Sequence, residues 1–253
     1  MNTRIYPTPN GLPHLGHVYM TLVNQYHARS TGGKLAIIFD DTQPCWIESV
    51  GRDGLERFAG QWIEDMEWMG ITFDTVLYQS REHERFTDWL DNVEYDGRLL
   101  GEAHDYAYKY NPNIAYSDVG GYPWEDWLTV EKVYMDALAG VNMVIRGEDL
   151  LCEFALYQSM WCKYIGTEPP EHVYLPRLRA QGMDALSKTE GNHKLREYRE
   201  MGYKPQAIEW MLRQSCLDDK YGEWDWRNVK RSPKLIRDKM PVMYAVPLNW
   251  RGE

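Results

Sequence analysis

Arg4-Ile5-Tyr6-Pro7-Thr8-Pro9-Asn10-Gly11-Leu12-Pro13-His14-Leu15-Gly16-His17 joins a short, partly apolar strand end to a helix through a turn of prolines, asparagine and glycine. Such residues are loop chemistry, because proline fixes the backbone and glycine frees it. From Leu15 the apolar positions fall at Leu15, Val18, Tyr19, Leu22, Val23 and Tyr26, the spacing of one buried helix face. Gly32-Gly33 stops that helix. Residues 34–39 then form a continuous apolar run ending at Asp40-Asp41-Thr42, as expected of a strand buried on both faces of a parallel sheet. The unit reads as βαβ, with a ligand-binding turn at its first junction.

The chain has 253 residues, and alternating strand and helix patterns favour one α/β domain with modest insertions. Aromatic residues make up 13%, with 11 Trp and 18 Tyr, a composition opposed to disorder. The N-terminus lacks an apolar signal core, and no segment approaches the roughly 18 uninterrupted apolar residues of a membrane helix, so a cytoplasmic location without membrane partners is expected. Cys45, Cys152, Cys162 and Cys216 form no C-x-x-C pair, which suggests neither a zinc site nor a disulfide framework; buried thiols are expected. A formal net charge of −10 argues against broad, non-specific nucleic-acid binding. The one basic cluster, Arg227, Lys230, Arg231, Lys234, Arg237 and Lys239, reads as a solvated helix face.

Further along, residues 51–70 and 82–93 have helical spacing, and residues 96–127 break into Gly, Asn, Asp, Pro and Tyr, read as loops and short strands. After a mixed segment over 130–139, residues 141–145 form a second buried strand. It closes with Arg146-Gly147-Glu148-Asp149-Leu150, charges placed where ligands bind in open α/β sheets. A plain strand-to-helix turn, with carboxylates in the first helical turn, is the alternative. Residues 150–164 read as a helix and 173–178 as a strand. A polar loop follows, Asp184-Ala185-Leu186-Ser187-Lys188-Thr189-Glu190-Gly191-Asn192, and then a helix from Pro205 to Cys216.

His14 and His17 at a helix start could be a metal pair, but no third ligand accompanies them at motif spacing; they could equally be a satisfied structural pair. The place also suits a triphosphate, which the helix N-terminus and the imidazoles would bind while a lysine loop completes the site.

In these residues the chain resembles the class I aminoacyl-tRNA synthetases of the glutamyl/glutaminyl branch. His14-Leu15-Gly16-His17 matches the HIGH signature, and Ala185-Leu186-Ser187-Lys188-Thr189 resembles a degenerate KMSKS loop. Around the first lie Arg4-Ile5-x-Pro7-Thr8-Pro9-x-Gly11-x-Pro13 and Gly32-Gly33-Lys34, and Val144-Ile145-Arg146-Gly147-Glu148-Asp149-Leu150-Leu151 matches the branch's strand-to-helix turn. The resemblance covers residues 3–80 and 133–215. It implies a Rossmann-like, HUP-type parallel sheet with helices on both faces. Residues 1–95 would be the first half of that domain, 96–130 a shortened acceptor-stem insertion, 131–195 the second half with the KMSKS-like loop, and 196–253 a small helical extension without an anticodon-binding domain.

By the same resemblance, His14, His17 and Lys188 would be catalytic, acting on the phosphates of ATP carried in with Mg2+, for which no dedicated protein site is expected. Thr8, Asn10, Gly16, Asp149, Leu186 and Ser187 would complete the ATP site, and Arg4, Tyr6, Thr8, Asp40 and Arg146 would hold the amino acid. Arg146 stands where glutamyl enzymes carry an arginine for the side-chain carboxylate, which favours glutamate or a close acidic analogue. There are departures. Ala185 replaces the first KMSKS lysine, Asp40 replaces a glutamate, Tyr6 replaces a small residue, and the branch's substrate tyrosine near Gly121-Tyr122-Pro123 cannot be placed. The expected function is ATP-dependent formation of an aminoacyl-adenylate, passed to a small molecule, peptide or carrier protein. Reduced tRNA aminoacylation at an acceptor stem, as in the glutamyl-Q tRNA(Asp) synthetases, is the alternative, and a non-catalytic synthetase-like binding module is the third.

Overall fold

A computed structural model describes residues 1–92, 123–179, 193–231 and 233–234. Its elements run β1 (Thr3–Ile5), α1 (Leu15–Ser30), β2 (Leu35–Phe39), α2 (Pro44–Val50), α3 (Arg52–Trp68), β3 (Thr75–Tyr78), α4 (Gln79–Asn92) and α5 (Pro123–Leu138). They continue with β4 (Met143–Gly147), a 3-10 turn (Glu148–Glu153), α6 (Phe154–Tyr164), β5 (Glu171–Leu175), α7 (Leu195–Glu200), α8 (Pro205–Cys216) and a second 3-10 turn (Trp226–Asn228).

β2 pairs in parallel with β1 on one side and β3 on the other, and β4 pairs in parallel with β5. The two sheets meet between β1 and β4, where the carbonyl of Asn2 accepts from the N–H groups of Asn142 and Met143, at 3.1 and 3.2 Å. α1 ties the junction from above. Asn24 donates to the Ile145 carbonyl at 3.1 Å and its own carbonyl accepts from the Thr3 hydroxyl at 3.0 Å. The spatial order is thus 3-2-1-4-5, and its direction of growth reverses between β1 and β4. Ligands of doubly wound sheets bind at such a reversal, beyond the carboxyl ends of the strands.

All five residues of β2 are buried, as a strand covered on both faces requires. On one face Ile5, Ile37, Phe39, Met143 and Ile145 pack with α1, α3 and α8. Alternation sends Arg4 to the opposite face, where it meets Asp136 of α5. There α4, α5 and α6 share a second apolar cluster that includes Phe86, Val133, Tyr157 and Trp161. Helices therefore cover both faces. Two residues past the end of α1, Gly32 has a φ of +67°, the left-handed conformation that glycine adopts without strain. No helix among the described residues is long and apolar enough to cross a membrane.

The structure departs from the sequence reading in five places. β3 and α2 carry no strong apolar pattern: β3 is four residues long and leaves Val76 exposed, and α2 buries nothing. Residues 123–138, read as the end of a loop-rich insertion and a mixed segment, form the single helix α5. The helix expected from residue 150 begins with a 3-10 turn. Cys45 and Cys162 are exposed while Cys216 is buried, so burial holds for one of the three thiols described. The basic cluster is no helix face where it is described. Arg227 lies in a 3-10 turn bonded to Asp225, and Lys230 donates its Nζ to the Gln214 carbonyl at 2.6 Å. Residues 93–122, 180–192 and most of the segment beyond 231 lie outside the described residues, and with them fall Leu186, Ser187, Lys188, Arg237 and Lys239.

Candidate active site

The turn after β1 is held from several sides. Asp40 donates its backbone N–H to the Pro7 carbonyl at 3.0 Å, Asn10 donates to the Thr8 carbonyl at 2.9 Å, and the Trp62 indole donates to the Gly11 carbonyl at 2.8 Å. These bonds present His14 as the N-cap of α1. His14 Nδ1 accepts from the Gly16 N–H, and His17 Nδ1 accepts from the His14 N–H, each at 3.1 Å. The two rings stack at 3.6 Å, and Trp62 packs on His17 at 4.5 Å. An imidazole nitrogen that accepts a hydrogen bond carries a lone pair, so the proton of each neutral ring sits on Nε2. The capping box therefore fixes both tautomers and makes two Nε2–H groups donors at the positive end of a 16-residue helix, an arrangement suited to phosphate oxygens.

Backbone bonds carry this turn to the chain that follows the lysine loop. Leu15 donates to the His193 carbonyl at 3.0 Å and Leu195 donates to the Pro13 carbonyl at 2.8 Å, with His14 and Lys194 opposed in an antiparallel bridge. Residue 194 is six positions beyond Lys188, a span of at most about 20 Å of extended chain.

At the carboxyl end of β2, Asp40 is 5% exposed. Its Oδ2 accepts from the Thr8 hydroxyl at 3.3 Å and from the Gln43 amide. Burial raises its pKa above the usual carboxylate value, against the pull of Lys132 and of these two bonds. Asp41 accepts from the backbone N–H of Ser80 at 2.9 Å and from its hydroxyl. Tyr6 turns its ring beneath the Arg4 guanidinium, 5.3 Å away, and its hydroxyl is buried; burial and the charges of Asp40, Asp136 and Glu131 all lift its pKa.

Arg4, expected on the amino acid, is 3% exposed and committed to Asp136 through Nε at 2.9 Å and Nη2 at 3.0 Å. Tyr157 donates to the same carboxylate at 2.8 Å. Burial opposes the guanidinium charge, yet Asp136 outweighs it and the net shift is upward. In this structure the residue ties β1 to α5 and supports the pocket from beneath.

Arg146, 5% exposed at the end of β4, donates Nη2 to the Tyr174 hydroxyl at 3.2 Å. Its guanidinium carbon lies 5.4 and 6.0 Å from the ring centres of Tyr174 and Tyr157. Nearby, His172 has its pKa pushed down to about 4, by burial first and by Arg146 next, so the imidazole beside Arg146 is neutral at physiological pH. At Gly147, which follows, a Cβ would stand 2.3 Å from Asp149 Oδ1, the tip of a partly exposed side chain that can turn aside. Asp149, expected near ATP, lies 3.4 Å from Arg177 at the exposed edge of the same end.

The topology thus places His14, His17, Thr8, Asn10, Gly16, Tyr6, Asp40, Arg146 and Asp149 at the carboxyl ends of β1, β2 and β4 or on the segments that leave them, with Arg4 beneath. Sequence reasoning missed Asp136 and Glu131, the buried acids of α5. Glu131 is 1% exposed, and burial, then Asp40 and Asp41, push its pKa up to about 7 against hydrogen bonds to Thr42 and Gln79. Their signal was present as two carboxylates on a segment that also carries Val130, Val133 and Met135 inward.

Known proteins resemble this chain in sequence and in fold. Residues 1–110 match the family described as tRNA synthetases class I (E and Q), catalytic domain. The chain is 24% identical to a glutamate–tRNA ligase of Corynebacterium diphtheriae, over 82% of this chain and 55% of that protein. It is 27% identical to glutamate–tRNA ligase 1 of Rubrobacter xylanophilus, over 96% of this chain and 62% of that protein. It therefore spans between half and two-thirds of the length of these relatives. The fold superposes on a glutamate tRNA ligase of Elizabethkingia meningosepticum with a TM-score of 0.67 at 17% identity, covering 96% of this chain and 68% of that one. A tyrosyl-tRNA synthetase of Aeropyrum pernix gives 0.56 at 13% identity, over 77% of this chain and 58% of that one.

Proposed function

We propose that this chain, a synthetase-like catalytic domain of class I in the glutamyl/glutaminyl branch, activates an amino acid with ATP as its adenylate, and that glutamate or a close acidic analogue is its substrate. The observation that carries the reading is the His14–His17 capping box at the strand-order reversal, with both Nε2–H donors fixed at the N-terminus of α1.

In the reaction the amino acid carboxylate forms a bond to the α-phosphorus of ATP while the bond from that phosphorus to the bridging oxygen breaks, releasing pyrophosphate. Charge builds on the phosphate oxygens as this happens. Hydrogen-bond donors fixed in advance stabilise that charge without having to reorganise, the role we give to His14, His17 and the first N–H groups of α1. Lys188, six positions before Lys194 in sequence, would add a cation. Thr8, Asn10 and Gly16 shape the adjoining turn. Mg2+ arrives with the nucleotide and would neutralise phosphate charge.

Arg146 supports the acidic preference, since a guanidinium matches a carboxylate in charge and shape. Arg146→Ala is expected to raise the KM for glutamate by at least about thirtyfold, as truncating one member of a buried charge pair does, while leaving the KM for ATP near its starting value. Equal effects on both constants would remove that role.

For the acceptor we favour a small molecule, peptide or carrier protein. The net charge is −10, which disfavours a broad phosphate-binding surface, and two residues of the basic cluster, Arg227 and Lys230, are turned to Asp225 and to a backbone carbonyl. The test is ATP–pyrophosphate exchange over a panel of amino acids, with and without bulk tRNA. Exchange that depends on glutamate is expected. Silence with every amino acid, with and without tRNA, would overturn adenylation, and glutamate-loaded tRNA as the product would decide for the relatives' acceptor.

A further inference from the structure

Three side chains around the carboxyl ends of β1 and β2 each keep one buried oxygen without a hydrogen-bond partner among the described residues: Asp40 Oδ1, Glu131 Oε1 and the Tyr6 hydroxyl. Buried polar atoms are seldom left so. Tyr6 is under the influence of both carboxylates, and Glu131 is under the influence of Asp40, which puts the three in one neighbourhood. The remaining oxygens of the two acids are engaged, Asp40 Oδ2 with Thr8 and Gln43, and Glu131 with Thr42 and Gln79. Gln79, only 1% exposed, bonds to Glu131 and leaves its own Oε1 buried without a partner. This is a neutral side chain, and its orphaned oxygen adds to an excess of acceptors over donors at one point.

A ligand that settles such a deficit must bring several N–H donors and a positive charge. A primary ammonium has three donors and one charge, one donor for each of Asp40 Oδ1, Glu131 Oε1 and the Tyr6 hydroxyl. We propose that the α-ammonium of the amino acid substrate is held between Asp40 and Glu131 over the Tyr6 hydroxyl, and that Glu131 is a specificity-determining residue of the site. The proposal rests on the amino-acid-activating function given above and goes further by adding a second carboxylate, from a helix distant in sequence. It also gives a reason for the short Asp40 and the bulky Tyr6 in this pocket: the ammonium is gripped from α5 as well as from β2.

The groups facing Glu131 are Asp40 and Asp41 from the end of β2, Tyr6 from the end of β1, and Gln79 from α4, while its helix neighbour Lys132 acts on Asp40. Ammonium binding needs the ionised carboxylate. With its proton leaving near pH 7, affinity should fall as pH drops below that value. A single coupled proton gives about a tenfold change per pH unit there.

The experiment is pyrophosphate exchange by the full chain, wild type and Glu131→Gln, between pH 6 and 8, with glutarate, which lacks the amino group, as competitor. In the wild type the KM for glutamate should be about tenfold higher at pH 6 than at pH 8, with the KM for ATP flat. In Glu131→Gln, which preserves shape, the KM for glutamate at pH 8 should rise at least about tenfold, lose its pH slope, and approach the inhibition constant of glutarate. A variant with the wild-type KM and the wild-type slope would overturn the proposal while leaving adenylation in place. No exchange by the wild type with any amino acid would remove both. Should the variant fail to fold, the wild-type profile decides, since glutarate inhibition must lack the slope that glutamate shows and a shared slope overturns the proposal.

Discussion

Asp136→Ala is expected to lose about 3–5 kcal/mol of folding stability, the cost of leaving one member of a buried ion pair alone. Asp136 is fully buried and accepts three hydrogen bonds, two from Arg4 and one from Tyr157. Removing it strands a guanidinium on the face of β1 that turns away from α1. Urea denaturation monitored by tryptophan fluorescence measures the loss. Changing both charges to apolar residues of similar volume, as in Arg4→Met with Asp136→Leu, should return most of it, because a buried pair is seldom much better than good apolar packing. A loss below about 1 kcal/mol for Asp136→Ala would mean that the pair does not hold α5 to β1.

His17→Ala should lower the turnover of pyrophosphate exchange by about a hundredfold to a thousandfold at saturating ATP and amino acid, the scale for one preorganised donor to a developing oxyanion. The fall belongs in kcat, because the Nε2–H is aimed at charge that grows during the reaction. His17 also accepts the His14 backbone N–H, so some stability goes with it, about 1 kcal/mol for a lost cap contact. A melting curve separates the two: a small shift beside a large fall in turnover identifies the chemical role. Turnover within about threefold of wild type, roughly 0.7 kcal/mol of barrier, would leave His17 a capping residue alone.

Much of the site is written in one short segment. The β1-turn-α1-β2 unit declares itself because each of its signals is local: prolines and glycine at the turn, helical spacing from Leu15, and an apolar run over residues 35–39 that tolerates no polar face. α8 is equally plain, running from Pro205 to Cys216 with proline in its first turn and a clean apolar stripe. The position of residues 14, 16 and 17 at the start of a helix is therefore legible from spacing and turn chemistry alone, whereas their role on ATP comes from the family resemblance.

α5 is the opposite case. Its inward face carries Glu131 and Asp136 among Val130, Val133 and Met135, so the apolar stripe is broken where the helix is most buried. A carboxylate inside a protein makes sense only once its partner is known. For Asp136 the partner is Arg4, 132 positions earlier in the chain, and no pattern within a helix can report it. Glu131 is harder still, since its pKa near 7 arises from Asp40, Asp41 and burial together.

By itself, then, the sequence determined the first strand, the helix after the turn and the buried second strand, because propensity and periodicity act within a few residues. Only the tertiary structure decided that β4 lies beside β1, that Arg4 is engaged by Asp136, and that Glu131 stands with Asp40 and Tyr6. Each of those depends on desolvation and charge across elements far apart in the chain, and neither exists until the fold has brought them together.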